Sequence, residues 1–284
     1  MKRFLSIGFL LFAAILVNAQ DAAEKINQAN EALTSGDFSK AFELYDDAMK
    51  NLGDVQVDES INYNIGYAAY KADKFSEAIG YLDKAIEAGA NVSKAWEYKA
   101  ICFNEMEDYP KAIESFEKAA ETSDDGGASS IYNAAIAAYK GNMFDKAIEL
   151  FSKAVELGYK GATAQYYKAV VYKKKGDDAG YKQALVEGVE KFPTNKKLTQ
   201  GLAKEYVSEG NELYQKGVGI LNAANQKVND GSMKTTDAAY TAEVEKAKAE
   251  FKAASEILEK AVNLDASNGN ATKLLDACKQ NLSI

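Results

Sequence analysis

Four stretches of the chain repeat one pattern of apolar and polar positions. GDFSKAFELYDDA (36 to 48), DKFSEAIGYLDKA (73 to 85), EDYPKAIESFEKA (107 to 119) and NMFDKAIELFSKA (142 to 154) align without gaps. Each has an aromatic third, an alanine sixth and an alanine last, and the aromatics Phe38, Phe75, Tyr109 and Phe144 fall 37, 34 and 35 residues apart. Apolar residues recurring every three and four positions predict amphipathic helices. A second helical stretch precedes each, carrying one small residue at a matching place: Ala29, Gly66, Ala100, Ala135 and, in a fifth unit, Ala169. Small side chains at both levels let two antiparallel helices approach closely, while Tyr45, Leu82, Trp96, Phe116 and Phe151 fill the space beside them. Such a pair is too thin to bury both faces alone and has to stack on its neighbours.

The pattern loosens downstream. In the fifth unit Tyr181 and Gly188 stand where alanine is expected, which predicts a distorted second helix; Pro193 marks its exit turn. A sixth unit opens near Lys196 with Leu202, Ala203 and Tyr206, and its partner helix is recognisable only at Phe251, Ala254, Leu258, Ala261 and Ala266. The inserted stretch keeps helical spacing through Leu213, Val218, Leu221 and Ala224, turns between Asn229 and Thr236, and resumes from Ala238. Two lengthened helices of about thirty residues, or ~45 Å each, are expected to form a hairpin. The tail from Ser267 to Leu282 predicts an amphipathic capping helix with Ala271, Leu274, Leu275 and Cys278 facing inward. Pro110 fits the first turn of a helix, and Gly36, Gly176 and Gly210 are assigned to turns between helices.

With these residues in place, the chain resembles the tetratricopeptide repeat family, a helix-turn-helix unit of thirty-four residues. The resemblance implies an all-α fold, a right-handed superhelix of about six helix pairs plus the C-terminal capping helix. It divides the chain into residues 1–19, five repeats over 20–195, and a sixth repeat with elongated hairpin and cap over 196–284. In that family, recurring positions of each first helix line a concave face. Carried onto this chain, they give Tyr63, Tyr67, Tyr70, Lys71, Glu97, Asn104, Tyr132, Tyr139, Lys140, Tyr166, Lys173, Lys174, Lys197 and Lys204. Some family members grip a C-terminal carboxylate with two Lys, two Asn and an Arg; here Asn30, Asn64 and Lys94 match, but Ile26 and Tyr98 replace a Lys and the Arg, so that clamp is not expected.

Tyrosine offers large amphipathic area at little entropy cost, and lysine ammonium groups meet carboxylates. An extended, partly acidic segment of a partner protein is therefore the expected occupant; a glycan or small molecule stacked on the tyrosines is the alternative. Some of these tyrosines are equally suited to packing between repeats.

Composition narrows the chemistry. The 284 residues include 34 Lys+Arg, 42 Asp+Glu, no His and two Cys. Without histidine, the commonest general base and zinc ligand are missing, and two distant cysteines make no four-thiolate site. No phosphate loop, nucleophile elbow or dinucleotide fingerprint occurs, and the acid pairs Asp46-Asp47, Asp124-Asp125 and Asp177-Asp178 lack calcium-loop spacing. The expectation is a scaffold or adaptor rather than an enzyme, with no cofactor and no metal. A formal charge of −8, with basic residues scattered, disfavours a nucleic acid partner. Finally, Lys2 and Arg3 precede a fourteen-residue apolar run, Phe4 to Val17, followed by Val17-Asn18-Ala19. This is the layout of a cleaved signal peptide, too short for a spanning helix, so a periplasmic or secreted protein with no stable membrane anchor is expected.

Overall fold

The computed structural model describes residues 21–53 and 56–283; the expected signal peptide lies outside them. All regular structure among the described residues is helical, and the chain divides into two compact units, meeting in sequence at Tyr159 and Lys160.

The first unit contains α1 (21–35), α2 (Phe38–Lys50), α3 (Ile61–Lys71), α4 (Phe75–Glu87), α5 (Val92–Glu105), α6 (Tyr109–Glu121), α7 (Ala128–Lys140) and α8 (Phe144–Glu156). The small residues act as the pattern requires: Ala29, Ala41, Ala48, Ala78, Ala85, Ala112, Ala119, Ala147 and Ala154 are all 0% exposed. At Gly66 even alanine is too large, because a Cβ there would lie 2.7 Å from Leu82 Cγ. Tyr45, Leu82 and Phe151, also 0% exposed, fill the space between helices. Turns from first to second helix share one device, a residue of positive φ: Gly36 (84°), Asp73 (58°), Glu107 (61°) and Asn142 (56°). Asp37 and Asp108 then accept the free backbone N–H groups of Lys40 and Lys111, which starts the second helix. Pro110 sits in the first turn of α6, where its missing N–H costs nothing.

The second unit contains α9 (Gly161–Lys175), α10 (Asp178–Lys191), α11 (Lys196–Asn229), α12 (Ala238–Leu264) and α13 (Gly269–Leu282). Gly176 (80°) repeats the turn device and Asp177 caps α10 through the Gly180 N–H. Contrary to the sequence expectation, α10 is an unbroken α-helix. Gly188 answers local packing, because a Cβ there would meet Leu198 Cδ2 at 2.7 Å; Gly180, beside Tyr181, is as tightly placed, with a Cβ 2.4 Å from the Tyr172 ring. At residue 188 glycine replaces the expected alanine and the helix is kept.

Gly210 is a second correction. It lies inside α11, buried, not in a turn, and a Cβ would stand 2.6 Å from Leu258 Cγ. Seven residues on, Gly217 lies under the Phe251 ring in the same way, at 2.8 Å. The two glycines therefore form the line along which α11 and α12 touch. These helices run for 34 and 27 residues, ~51 and ~40 Å. Their connection folds on itself: Met233 N–H and Ser232 Oγ both donate to the Lys227 carbonyl, and Asp237 accepts from Lys234 N–H. The cap α13 buries Ala271, Leu275 and Cys278 against Ala254 and Leu258. No described helix is long and apolar enough to cross a membrane.

Candidate functional site

On α3, Tyr63, Tyr67 and Tyr70 fall at i, i+4 and i+7, one face of the helix. Tyr98 enters the same group from α5, the first helix of the next unit. Its ring centroid lies 6.1 Å from Tyr63, 5.0 Å from Tyr67 and 5.3 Å from Tyr70, the last nearly parallel at 26°. Phe38, from the start of α2, closes the group with an edge contact to Tyr67 at 5.8 Å. Lys71 Nζ stands 5.4 Å from the Phe38 centroid and 5.8 Å from that of Tyr70. The four tyrosines are half-buried, and Tyr63, Tyr70 and Tyr98 pack against the core of the unit.

Burial sets their acidity. It pushes the Tyr98 phenol up to about 12, with the neighbouring Tyr63 and Tyr67 acting in the same direction. Tyr63 and Tyr70 are raised by the same cause, and the charges of Glu105 and Asp73 add to the effect on Tyr70. All three phenols therefore stay protonated, as hydrogen-bond donors, well above neutrality.

Sequence reasoning placed Tyr63, Tyr67, Tyr70 and Lys71 together, and they are together. It missed Phe38 and Tyr98. Tyr98 had a signal in its 35-residue offset from Tyr63, one more than the 34 between Phe75 and Tyr109. Tyr132 departs from expectation: 7% exposed, it packs edge-on against Phe151 at 5.8 Å and Tyr159 at 5.7 Å. Most of the circumference of α7 is buried, so a tyrosine on it is drawn inward and serves the core. Tyr139 is half-buried and Lys140 exposed.

In the second unit, tyrosines meet lysines. Lys197 Nζ lies 5.3 Å over the Tyr166 ring. Lys173 is held by Asp178 at 2.6 Å and lies 5.1 Å over Tyr181, which occupies a charge expected to await a partner. Lys174 and Lys204 are exposed and have no ion-pair partner among the described residues.

The other candidates are absorbed by the fold. Asn30 accepts from the Tyr45 phenol, Lys94 pairs with Glu97 at 2.6 Å and Ile26 packs on the core, so no carboxylate clamp is assembled. Asp125 accepts from Gly127 N–H and Asp46 from Tyr81. Cys102 and Cys278 are free thiols, each buried in its own unit. Among the described residues no group of three or more Cys, Asp or Glu side chains assembles to hold a metal ion. Charge divides sharply between the units. Residues 21–159 carry 26 Asp+Glu against 13 Lys, a formal −13; residues 160–284 carry 16 against 19, a formal +3.

A family model described as tetratricopeptide repeat matches residues 26–91, 63–128 and 132–185. The human protein DnaJ homolog subfamily C member 7 is 26% identical over 106 residues, 37% of this chain and 22% of its own length, so the chain spans about a fifth of that curated relative. Among solved structures, a TPR repeats protein from Bacteroides fragilis is 21% identical, with 92% of this chain and 98% of the other covered and a TM-score of 0.40. YrrB, described as a TPR protein with an unusual peptide-binding site, is 20% identical over 66% of this chain and 94% of its own, with a TM-score of 0.49.

Proposed function

The chain belongs to the tetratricopeptide repeat family, and from that premise we propose that it is an exported, non-catalytic scaffold that holds an extended segment of a partner protein. The observation that carries this reading is the solvent-facing group of four tyrosines on the first helices α3 and α5. Clustered, pre-positioned aromatic rings with polar tips are the composition of binding hot spots. In the second unit the exposed ammonium groups of Lys174 and Lys204 are available to carboxylates of a partner. The long α11–α12 hairpin provides a second surface, and export rests on the signal-peptide layout of residues 1–19.

Ring geometry favours peptide over glycan. A sugar ring needs one broad aromatic platform, whereas Tyr67 is tilted 50° to Tyr70 and 46° to Tyr98, so the ring faces point in different directions. Faces set at angles to one another suit separate side chains of an extended chain.

Cross-linking of the tagged protein in its own cells, with mass spectrometry of the linked positions, tests the proposal. A recurrent protein partner linked to α3, α5 or residues 211 to 250 is expected. Loss of capture by more than about tenfold in Tyr67→Ala/Tyr70→Ala, with helicity unchanged, would tie it to the cluster. Recovery of a co-purifying glycan and no protein would overturn it.

A further inference from the structure

The rim of the tyrosine cluster carries a charge opposite to that of the lysines on α9 and α11. Resting on the partner-binding reading above, we propose that the cluster captures an extended segment bearing arginine side chains. Each guanidinium would lie against a tyrosine face beside the carboxylates of Asp73 and Glu105.

Three observations converge on it. The ring faces already accept a cation: Lys71 lies over Phe38 and Tyr70 and has no carboxylate partner among the described residues. The near-parallel Tyr70 and Tyr98 rings beside Tyr67 offer planar faces and edges that suit a planar, weakly hydrated guanidinium better than an ammonium. Asp73 follows Tyr70 by three residues just past the end of α3, and Glu105 follows Tyr98 by seven on the same face of α5; both are exposed, have no ion pair among the described residues, and raise the Tyr70 phenol through their charges. Around them the first unit is strongly acidic, which draws cationic segments in and repels acidic ones at long range. Arg3 is the one arginine of this chain, so the segment comes from a different protein and not from a second copy.

Fluorescence anisotropy of the purified chain with twelve-residue Gly/Ser peptides carrying four Arg, Lys, Gln or Glu tests this. The expected order of affinity is Arg, Lys, Gln, Glu. The variant Asp73→Asn/Glu105→Gln keeps the backbone, because asparagine tolerates the positive φ of residue 73. It is expected to weaken the Arg peptide at least about fivefold and to flatten its salt dependence. Tyr67→Leu is expected to weaken it as well. The control Glu114→Gln/Glu156→Gln, which removes two exposed charges of the same unit, is expected to change binding less than twofold.

Equal binding of the Arg and Gln peptides, tighter binding of the Glu peptide, or equal losses in control and rim variants would overturn the proposal. Cross-linking separates this outcome from failure of the scaffold reading. A partner linked to α3 and α5 through a segment without basic residues sinks the arginine preference alone, whereas the absence of any protein partner sinks both.

Discussion

In the first unit the tyrosines of the first helices meet one another, Tyr67, Tyr70 and Tyr98 lying within 5.0 to 6.4 Å. In the second, Tyr166 of α9 meets Tyr167 at 6.0 Å, and lysines stand over the rings: Lys197 over Tyr166, Lys182 over Tyr206 and Lys173 over Tyr181 of the second helix α10. The same helix pair supports both arrangements. Its demands fall on small residues at the helix crossings and on a turn residue of positive φ, and both units meet them. The outward positions of the first helix are left free, and over all their residues the units differ in formal charge by sixteen, −13 against +3. Repetition thus fixes the spacing of side chains while leaving their chemistry to vary along the chain.

Core substitutions give the largest test of that comparison. Phe151 in the first unit and Phe251 in the second are both 0% exposed, and each Phe→Ala change is expected to cost about 3–5 kcal/mol. Trp96, the single tryptophan, reports on the first unit alone. Phe151→Ala should therefore move the Trp96 fluorescence transition in denaturant more than Phe251→Ala does, while far-ultraviolet circular dichroism registers both. Equal shifts of the Trp96 transition would mean that the units respond as one.

Glycines sharpen the comparison within a single helix. Gly217→Ala pushes a methyl into the Phe251 ring and is expected to destabilise by about 1–3 kcal/mol. Gly219, two residues along α11, has nothing within 4 Å, so Gly219→Ala should stabilise by up to ~1 kcal/mol through helix propensity. Gly66 and Gly80 make the same contrast in the first unit, Gly66 beneath Leu82 and Gly80 in open space. Thermal unfolding of the four variants checks both pairs, and equal signs within a pair would undo the close-approach argument.

The smallest expected effect is a titration. Burial, with a hydrogen bond to Asp46, pushes the Tyr81 phenol up to about 12, and Tyr98 reaches a similar value. Below the ordinary phenol value of about 10, both folded and unfolded chains hold these protons. Between about 10 and about 12 the unfolded chain releases them first, so stability falls as pH rises through that window. Phenolate absorbance followed alongside helicity should show a late step coinciding with unfolding. Asp46→Asn should bring part of that step to lower pH, and an unchanged late step would remove Asp46 as a cause.

The fold was legible because its determinants are steric and local: alanines at the helix crossings recur every 34 to 37 residues and tolerate little else. Glycine was legible only in part. A glycine's place in a chain looks the same whether it allows a positive φ, as at Gly176, or a close approach, as at Gly210 and Gly188, and only the neighbouring Leu258 or Leu198 decides. The site was half legible for a similar reason. The helical stripe of Tyr63, Tyr67 and Tyr70 can be counted off one helix, whereas Tyr98 joins it across an interface between helices. Tyr132 holds a position that faces outward in the family, yet α7 is so apolar that Phe151 and Tyr159 enclose it.

The self-bonded connection between α11 and α12 bears on the order of events in folding. Eight residues separate the two helices, and loops of about ten residues close in roughly 10–100 ns. Contacts that begin beside such a loop can spread outward, each needing only a short further closure, so this region has low contact order despite its length. A hairpin that closes from its own loop leaves its long apolar seam open to other chains only briefly.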